Sequence, residues 1–198
     1  MSIDSIISAE RDRYVAHFEA VAEEMSSKTN RYAREVLISV DTDALAYPYR
    51  FIRADLMENS ADGPPHAYEI WLDPSQTFEA SGFQLGPVTI EIYPFTWCSA
   101  QIAFDRPLPD LAKLEGLLTS WLDIGDTRTT NRAANAIHSA TPVETNGQLW
   151  YLTVDFGTAP AGTMLDLLDF LANEGMADRI VITSHPREAD EVRSSGLQ

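Results

Sequence analysis

Residues 102–125, "IAFDRPLPDLAKLEGLLTSWLDIG", lie without a gap over residues 152–175, "LTVDFGTAPAGTMLDLLDFLANEG". Asp105 then meets Asp155, Leu114 meets Met164, Leu117 and Leu118 meet Leu167 and Leu168, Trp121 meets Leu171, and Gly125 meets Gly175. Each copy reads as a strand, an aspartate, a loop holding proline, a helix with one apolar stripe and a closing glycine. Repeated strand-to-helix units predict an α+β fold in which helices cover a largely antiparallel sheet. The expected duplicated strand-strand-helix unit spans 88–125 and 138–175.

The flanking sequence supplies the other strands. Val88, Ile90 and Ile92 alternate with Thr89, Glu91 and Tyr93, the period of a half-buried strand. Pro94 cannot donate to a ladder, so "CSAQIAFD" begins a new one. Pro109 marks the start of the helix carrying Leu111, Leu114, Leu117, Leu118, Trp121 and Leu122. "ETNGQ" at 144–148 is an Asn-Gly hairpin signal, and "RIVITS" at 179–184 is a short β-branched strand open to parallel pairing. Further upstream, Tyr68, Ile70 and Leu72 alternate as a strand.

The N-terminal segment changes character. Ile3, Ile7, Tyr14, Phe18, Val21 and Met25 recur at helical spacing, with Ile6 beside them, which predicts a long amphipathic helix. A short helix is expected around 50–58. The organisation expected is a single α+β domain over 1–198, with a helical N-terminal region at 1–60, a sheet-helix core at 67–184 and a flexible tail at 185–198.

Thirty acidic residues against fourteen basic ones give a formal net charge of −16. Such a charge repels phosphate backbones and anionic lipid, so neither nucleic acid nor a membrane is expected as partner. The N-terminus has acids and arginines where a secretory signal needs an apolar run, no stretch approaches a membrane span, and a single cysteine makes no internal disulfide. A cytoplasmic location is expected. Between Arg53 and Arg106 there is no lysine or arginine but there are eight acids, and the interval from Arg132 to Arg179 holds six more. Glu69 and Glu91, with Trp71, Tyr93 and Trp150 as apolar anchors, are the interface candidates for a basic protein partner.

Residues capable of chemistry are scattered. Cys98 has no neighbouring cation to form a thiolate and reads as a buried, inert residue. Four histidines and one cysteine show no ligand spacing, so no metal and no cofactor is assigned. Asp105 and Asp155 each end a strand before a helix; they either cap the loop that follows or, with the two units side by side, approach each other to bind a cation or act as an acid-base pair. His138 is the least ordinary histidine. Arg128 and Arg132, with Asn131 and Asn135 between and beside them, have the spacing to clamp an anion. The composition favours an acidic, non-enzymatic binding or adaptor protein, an inhibitor or chaperone-like partner of a basic protein. Its alternative is a small-molecule-binding protein or hydrolase-like enzyme that uses Asp105, Asp155 and His138, with Arg128, Asn131 and Arg132 binding the ligand.

Overall fold

The computed structural model describes residues 1–29, 31–40, 44–60, 63–74, 78–124, 136–173, 175 and 177–184. Arg128, Asn131, Arg132 and Asn135 and the expected tail lie outside them. The fold is mixed α+β, with three α-helices and two sheets among the described residues.

Helix α1 (Ile3–Lys28) starts where the Ser2 hydroxyl accepts the Ser5 N–H, with Asp4 in the first turn. Both features satisfy or complement the free amides of a helix start. It buries Ile6, Ile7, Glu10, Tyr14, Phe18, Ala22 and Met25. Beyond it, β1 (Tyr32–Ser39), β2 (Phe51–Glu58) and β3 (His66–Tyr68) form an antiparallel sheet in the order β1-β2-β3. The short helix expected at 50–58 is therefore a strand, and region 1–60 is helical only as far as Lys28. The reason is the residue types: "REVLIS" and "FIRADLM" pair across a ladder that buries Arg53, Ala54, Asp55 and Leu56, and tertiary pairing overrides a weak local preference.

The larger sheet contains β4 (Ser81–Leu85), β5 (Val88–Ile92), β6 (Ala100–Phe104), β7 (Ser139–Ala140), β8 (Glu144–Thr145), β9 (Trp150–Asp155) and β10 (Arg179–Ser184). Its order is β4-β5-β10-β6-β9-β7, with β8 also paired to β9. All pairs are antiparallel except β10 with β5. Helix α2 (Leu111–Trp121) follows β6 and is capped by Asp110, whose carboxylate accepts the Ala112 N–H at 3.1 Å. Helix α3 (Ala161–Asn173) follows β9 and buries Thr163, Met164, Leu167, Leu168 and Leu171.

The expected repeat is not seen: 88–125 has two strands before α2, whereas 138–175 has three, β7, β8 and β9, before α3, and the pairing is also unlike. β7 pairs directly with β9, whereas β10 is inserted between β5 and β6. Hydrophobic periodicity reports that a strand exists, not which strand lies beside it. The pairing also separates the two aspartates. β6 and β9 are antiparallel, with Ala100 opposite Val154 and Phe104 opposite Trp150, so Asp105 and Asp155 lie at opposite ends of the sheet, roughly 20 Å apart at strand rise. Their expected approach is corrected accordingly.

One apolar cluster joins α1, both sheets, α2 and α3. Trp97, in the 3-10 turn Trp97–Ser99, is fully buried, stacks on Phe156 at 4.7 Å between ring centroids and donates from Nε1 to the Gly157 carbonyl at 2.9 Å. Among the described residues no helix is long and apolar enough to cross a membrane. Leu152 is fully buried in β9 while its neighbour Thr153 is only half-buried. Leu152→Ala is expected to cost about 2–5 kcal/mol in urea unfolding, and Thr153→Ala less than half as much.

Candidate active centre at the seam of the two sheets

Residues 136–138 run between the sheets. The His138 N–H donates to the Asp155 carbonyl at 2.8 Å, and the His138 carbonyl accepts the Arg53 N–H at 2.7 Å. One residue's backbone thus joins β9 of the larger sheet to β2 of the smaller. Its imidazole, 1% exposed, enters a cluster of acids. Nε2 is 3.1 Å from Glu35 Oε1, and Nδ1 is 2.6 Å from Asp55 Oδ1. The second contact pairs charges without a formed hydrogen bond, because the ring N–H is off the line to the oxygen. Asp155 completes the group: one donor atom from each of Asp55, His138 and Asp155 lies within 4.8 Å of the others.

Local chain features hold each side chain. The β1–β2 ladder pairs Arg34 with Leu56 and Val36 with Ala54, leaving Glu35 and Asp55 as the facing position without a ladder pair. Glu35 has φ 51°, a left-handed conformation that costs a non-glycine residue of order 1–3 kcal/mol. Its carboxylate accepts the Thr158 hydroxyl as well as facing Nε2. Arg53 donates from its two terminal nitrogens to the Glu35 carbonyl at 2.7 Å and the Leu122 carbonyl at 2.8 Å. Asp55 accepts the Tyr14 hydroxyl at 3.2 Å and the Ile70 N–H. Asp155 accepts the Gly157 N–H at 2.8 Å. Gly157 itself has φ 49°, and a Cβ there would stand 2.1 Å from the His138 ring.

Electrostatics follow from this crowding. Burial is the largest influence on His138 and pushes its pKa down, yet pairing with Asp55 and Glu35 and the charge of Asp155 outweigh it and raise the pKa to about 10. The Asp155 pKa is raised to about 7, first by burial and then by the negative charges of Asp55 and Glu69, against the opposing pull of His138 and the Gly157 N–H. As a residue Asp155 keeps some exposed surface, but its carboxyl group is closely surrounded, and the upward direction follows from that packing. Burial and Asp155 raise the Cys98 pKa to about 12. The Tyr14 hydroxyl is raised well above its usual value, chiefly by burial.

Of the residues singled out from sequence, His138 and Asp155 belong to this centre. Asp105 does not: it accepts the Asp178 and Arg179 N–H groups at 3.0 and 3.3 Å, a loop-capping role. Arg128, Asn131 and Arg132 fall outside the described residues. Glu69 is exposed; Glu91 accepts two bonds from Arg179, each 2.8 Å. Tyr93 is exposed, Trp71 donates to Asp73 Oδ1 at 3.0 Å, and Trp150 packs partly against the core. Cys98 is buried, with its sulfur 3.3 Å from the Thr96 hydroxyl.

Sequence reasoning missed Asp55, Glu35, Tyr14, Thr158 and Gly157. One signal was available: Arg53 and Asp55 alternate within an otherwise apolar stretch, and charged residues facing inward on a strand require partners. The preference for a protein that is not an enzyme is overturned by the Asp55–His138–Asp155 cluster, whose donors converge as in a catalytic or metal-binding site. Comparison with family models, with curated proteins and with solved structures gives no match.

Gly157→Ala is expected to push the imidazole aside and destabilise the fold by about 2 kcal/mol or more. Thermal unfolding measures the loss, and the His138 ring resonances should shift with it. The Cys98 thiol should label in the native chain at pH 8 far more slowly than in urea, measured with a chromogenic disulfide; equal rates would contradict its burial.

Proposed function

We propose that the protein is a hydrolase-like enzyme whose reacting centre is Asp55, His138 and Asp155. The observation that carries this reading is the convergence of three side chains from β2, the 136–138 segment and β9 on one point inside the fold. Asp155, the only one of the three with more than marginal exposed surface as a residue, is the member assigned to the water, while Asp55, Glu35 and Thr158 keep the imidazole in place. Water is the nucleophile in this scheme. The buried Cys98 thiol, its pKa raised to about 12 by burial and the nearby acids, is a poor candidate for covalent catalysis. One proton of the attacking water passes to the centre and returns to the leaving group, and the other stays with the new acid. Glu69 lies within electrostatic reach of Asp155, and the chain carries a net charge of −16. Both disfavour a phosphoester and favour an uncharged or cationic ester or amide.

An acidic adaptor for a basic partner remains the second reading, supported by that same net charge. Its chosen acid Glu91 is already matched by Arg179, so the electrostatic support is weaker at that site.

A panel of neutral and cationic chromogenic esters and amides, with aryl phosphates as the contrasting class, tests the enzyme reading. Turnover of the first class is expected, with kcat/KM reduced by at least ~10²-fold in both His138→Gln and Asp155→Asn. Hydrolysis that persists in both folded variants would remove the centre from the reaction.

A further inference from the structure

Three carboxylates, Glu35, Asp55 and Asp155, converge around one imidazole that is 1% exposed. Buried negative charge in such excess needs a positive charge among it. Arg53, the nearby guanidinium, directs its two terminal nitrogens to backbone carbonyls of Glu35 and Leu122. The His138 ring meanwhile presents a buried Nδ1 with no aligned hydrogen bond, aimed at the side where Asp55 and Asp155 meet.

We infer that the Asp55–His138–Asp155 cluster binds a divalent first-row transition cation through His138 Nδ1, whose proton is released to solvent as the ion enters, and one oxygen from each aspartate. The inference rests on the hydrolase reading only for its role in catalysis; binding itself follows from the donors. Four observations support it. The donor set mixes one imidazole with two carboxylates, which suits zinc or manganese better than calcium or magnesium. Three protein ligands leave positions open for water, the arrangement of catalytic rather than structural sites.

The third observation concerns the surroundings of the ligands. Metal-bound histidine characteristically gives its other ring nitrogen to a carboxylate, and here Nε2 faces Glu35, itself held by the Thr158 hydroxyl. Asp55 is oriented by Tyr14 and the Ile70 N–H, and Asp155 by the Gly157 N–H. Each ligand is thus held from behind. The fourth is spacing. Donors at about 2.1 Å from one tetrahedral ion stand about 3.4 Å apart. The 2.6 Å contact between Nδ1 and Asp55 Oδ1 lies below that value, and the 4.8 Å limit on the whole set lies above it. Small side-chain adjustments would seat an ion held by His138, Asp55 and Asp155, and such an ion would supply Lewis-acid chemistry at the positions these three ligands leave open.

Calorimetric titration of the tag-free, chelator-stripped chain with zinc, manganese, magnesium and calcium chlorides tests this. One zinc or manganese ion per chain is expected, with magnesium and calcium at least ~100-fold weaker. His138→Gln and Asp155→Asn should abolish that site, and Glu35→Gln should retain it with affinity lowered ~10–100-fold. In the wild-type chain, substoichiometric manganese should broaden the amide resonances of Ile70 and Gly157 before others, a readout that needs no variant to fold. Absence of a stoichiometric site, or broadening elsewhere first, overturns the inference. Hydrolysis undiminished in the chelated chain would overturn the catalytic role of the ion and leave the hydrolase reading standing. Tight binding without hydrolysis of any panel substrate would uphold the site and count against that reading.

Discussion

The imidazole of His138 sits among carboxylates contributed by both sheets. Glu35 and Asp55 come from neighbouring strands of the smaller sheet, at the one facing position the β1–β2 ladder leaves unpaired. Like charges directly opposite in a sheet repel, and removing two carboxylates from water costs several kcal/mol each. An imidazolium placed between them, with one nitrogen toward each, changes that repulsion into two attractions. The same requirement raises the His138 pKa to about 10.

The surrounding architecture serves this placement. His138 donates its backbone N–H to β9 and accepts one from β2, so the segment that brings the ring also closes the gap between the sheets. Helix α1 covers the same spot: Tyr14 bonds Asp55, and the Phe18 ring meets the imidazole edge-on at 6.2 Å between centroids. Arg11 of the same helix donates to the Thr158 and Ala159 carbonyls, tying down the turn after β9 that carries Gly157 and Thr158. Trp97 fixes that turn from the other side through the Gly157 carbonyl. A long helix, a 3-10 turn and strands of both sheets therefore meet where the polar groups are, and the apolar cluster surrounds them.

The elements with strong periodicity were legible in the sequence. Helices α2 and α3, the strands β5 and β9, the Asn-Gly turn before β9 and the final strand β10 all appear where local pattern places them, although Leu111 of the expected α2 stripe is exposed. β10 does pair in parallel, but with β5 rather than with β9, the strand before its own helix. What pattern could not supply was adjacency. β10 lies between β5 and β6 with no counterpart in the second unit, and antiparallel pairing of β6 with β9 sends Asp105 and Asp155 to opposite ends. The centre was half visible: His138 and Asp155 stood out as residues, but Asp55 and Glu35 became partners only once β1 and β2 paired. A reading of 50–58 as helix hid Asp55 altogether, because it gave that carboxylate no inward face to share with Arg53.

Stability alone does not account for such a centre. Replacing buried ions by well-packed apolar residues is often neutral or stabilising, and this fold has ample apolar contact around the site. Instead it keeps three acids, places Glu35 at φ 51° and requires a glycine at φ 49° to clear the imidazole. Backbone strain of this kind persists where the surroundings hold it in place, and it concentrates at working sites. Both left-handed residues here touch or flank the same ring. Glu35 bonds it, and Gly157 makes room for it while donating its N–H to Asp155. A merely structural cross-link between the sheets would need one hydrogen-bonded pair and no strained residue. The retained excess of carboxylate oxygen around one ring nitrogen is the feature that a purely structural account leaves unexplained, and it is the ground for the enzyme and cation readings proposed above.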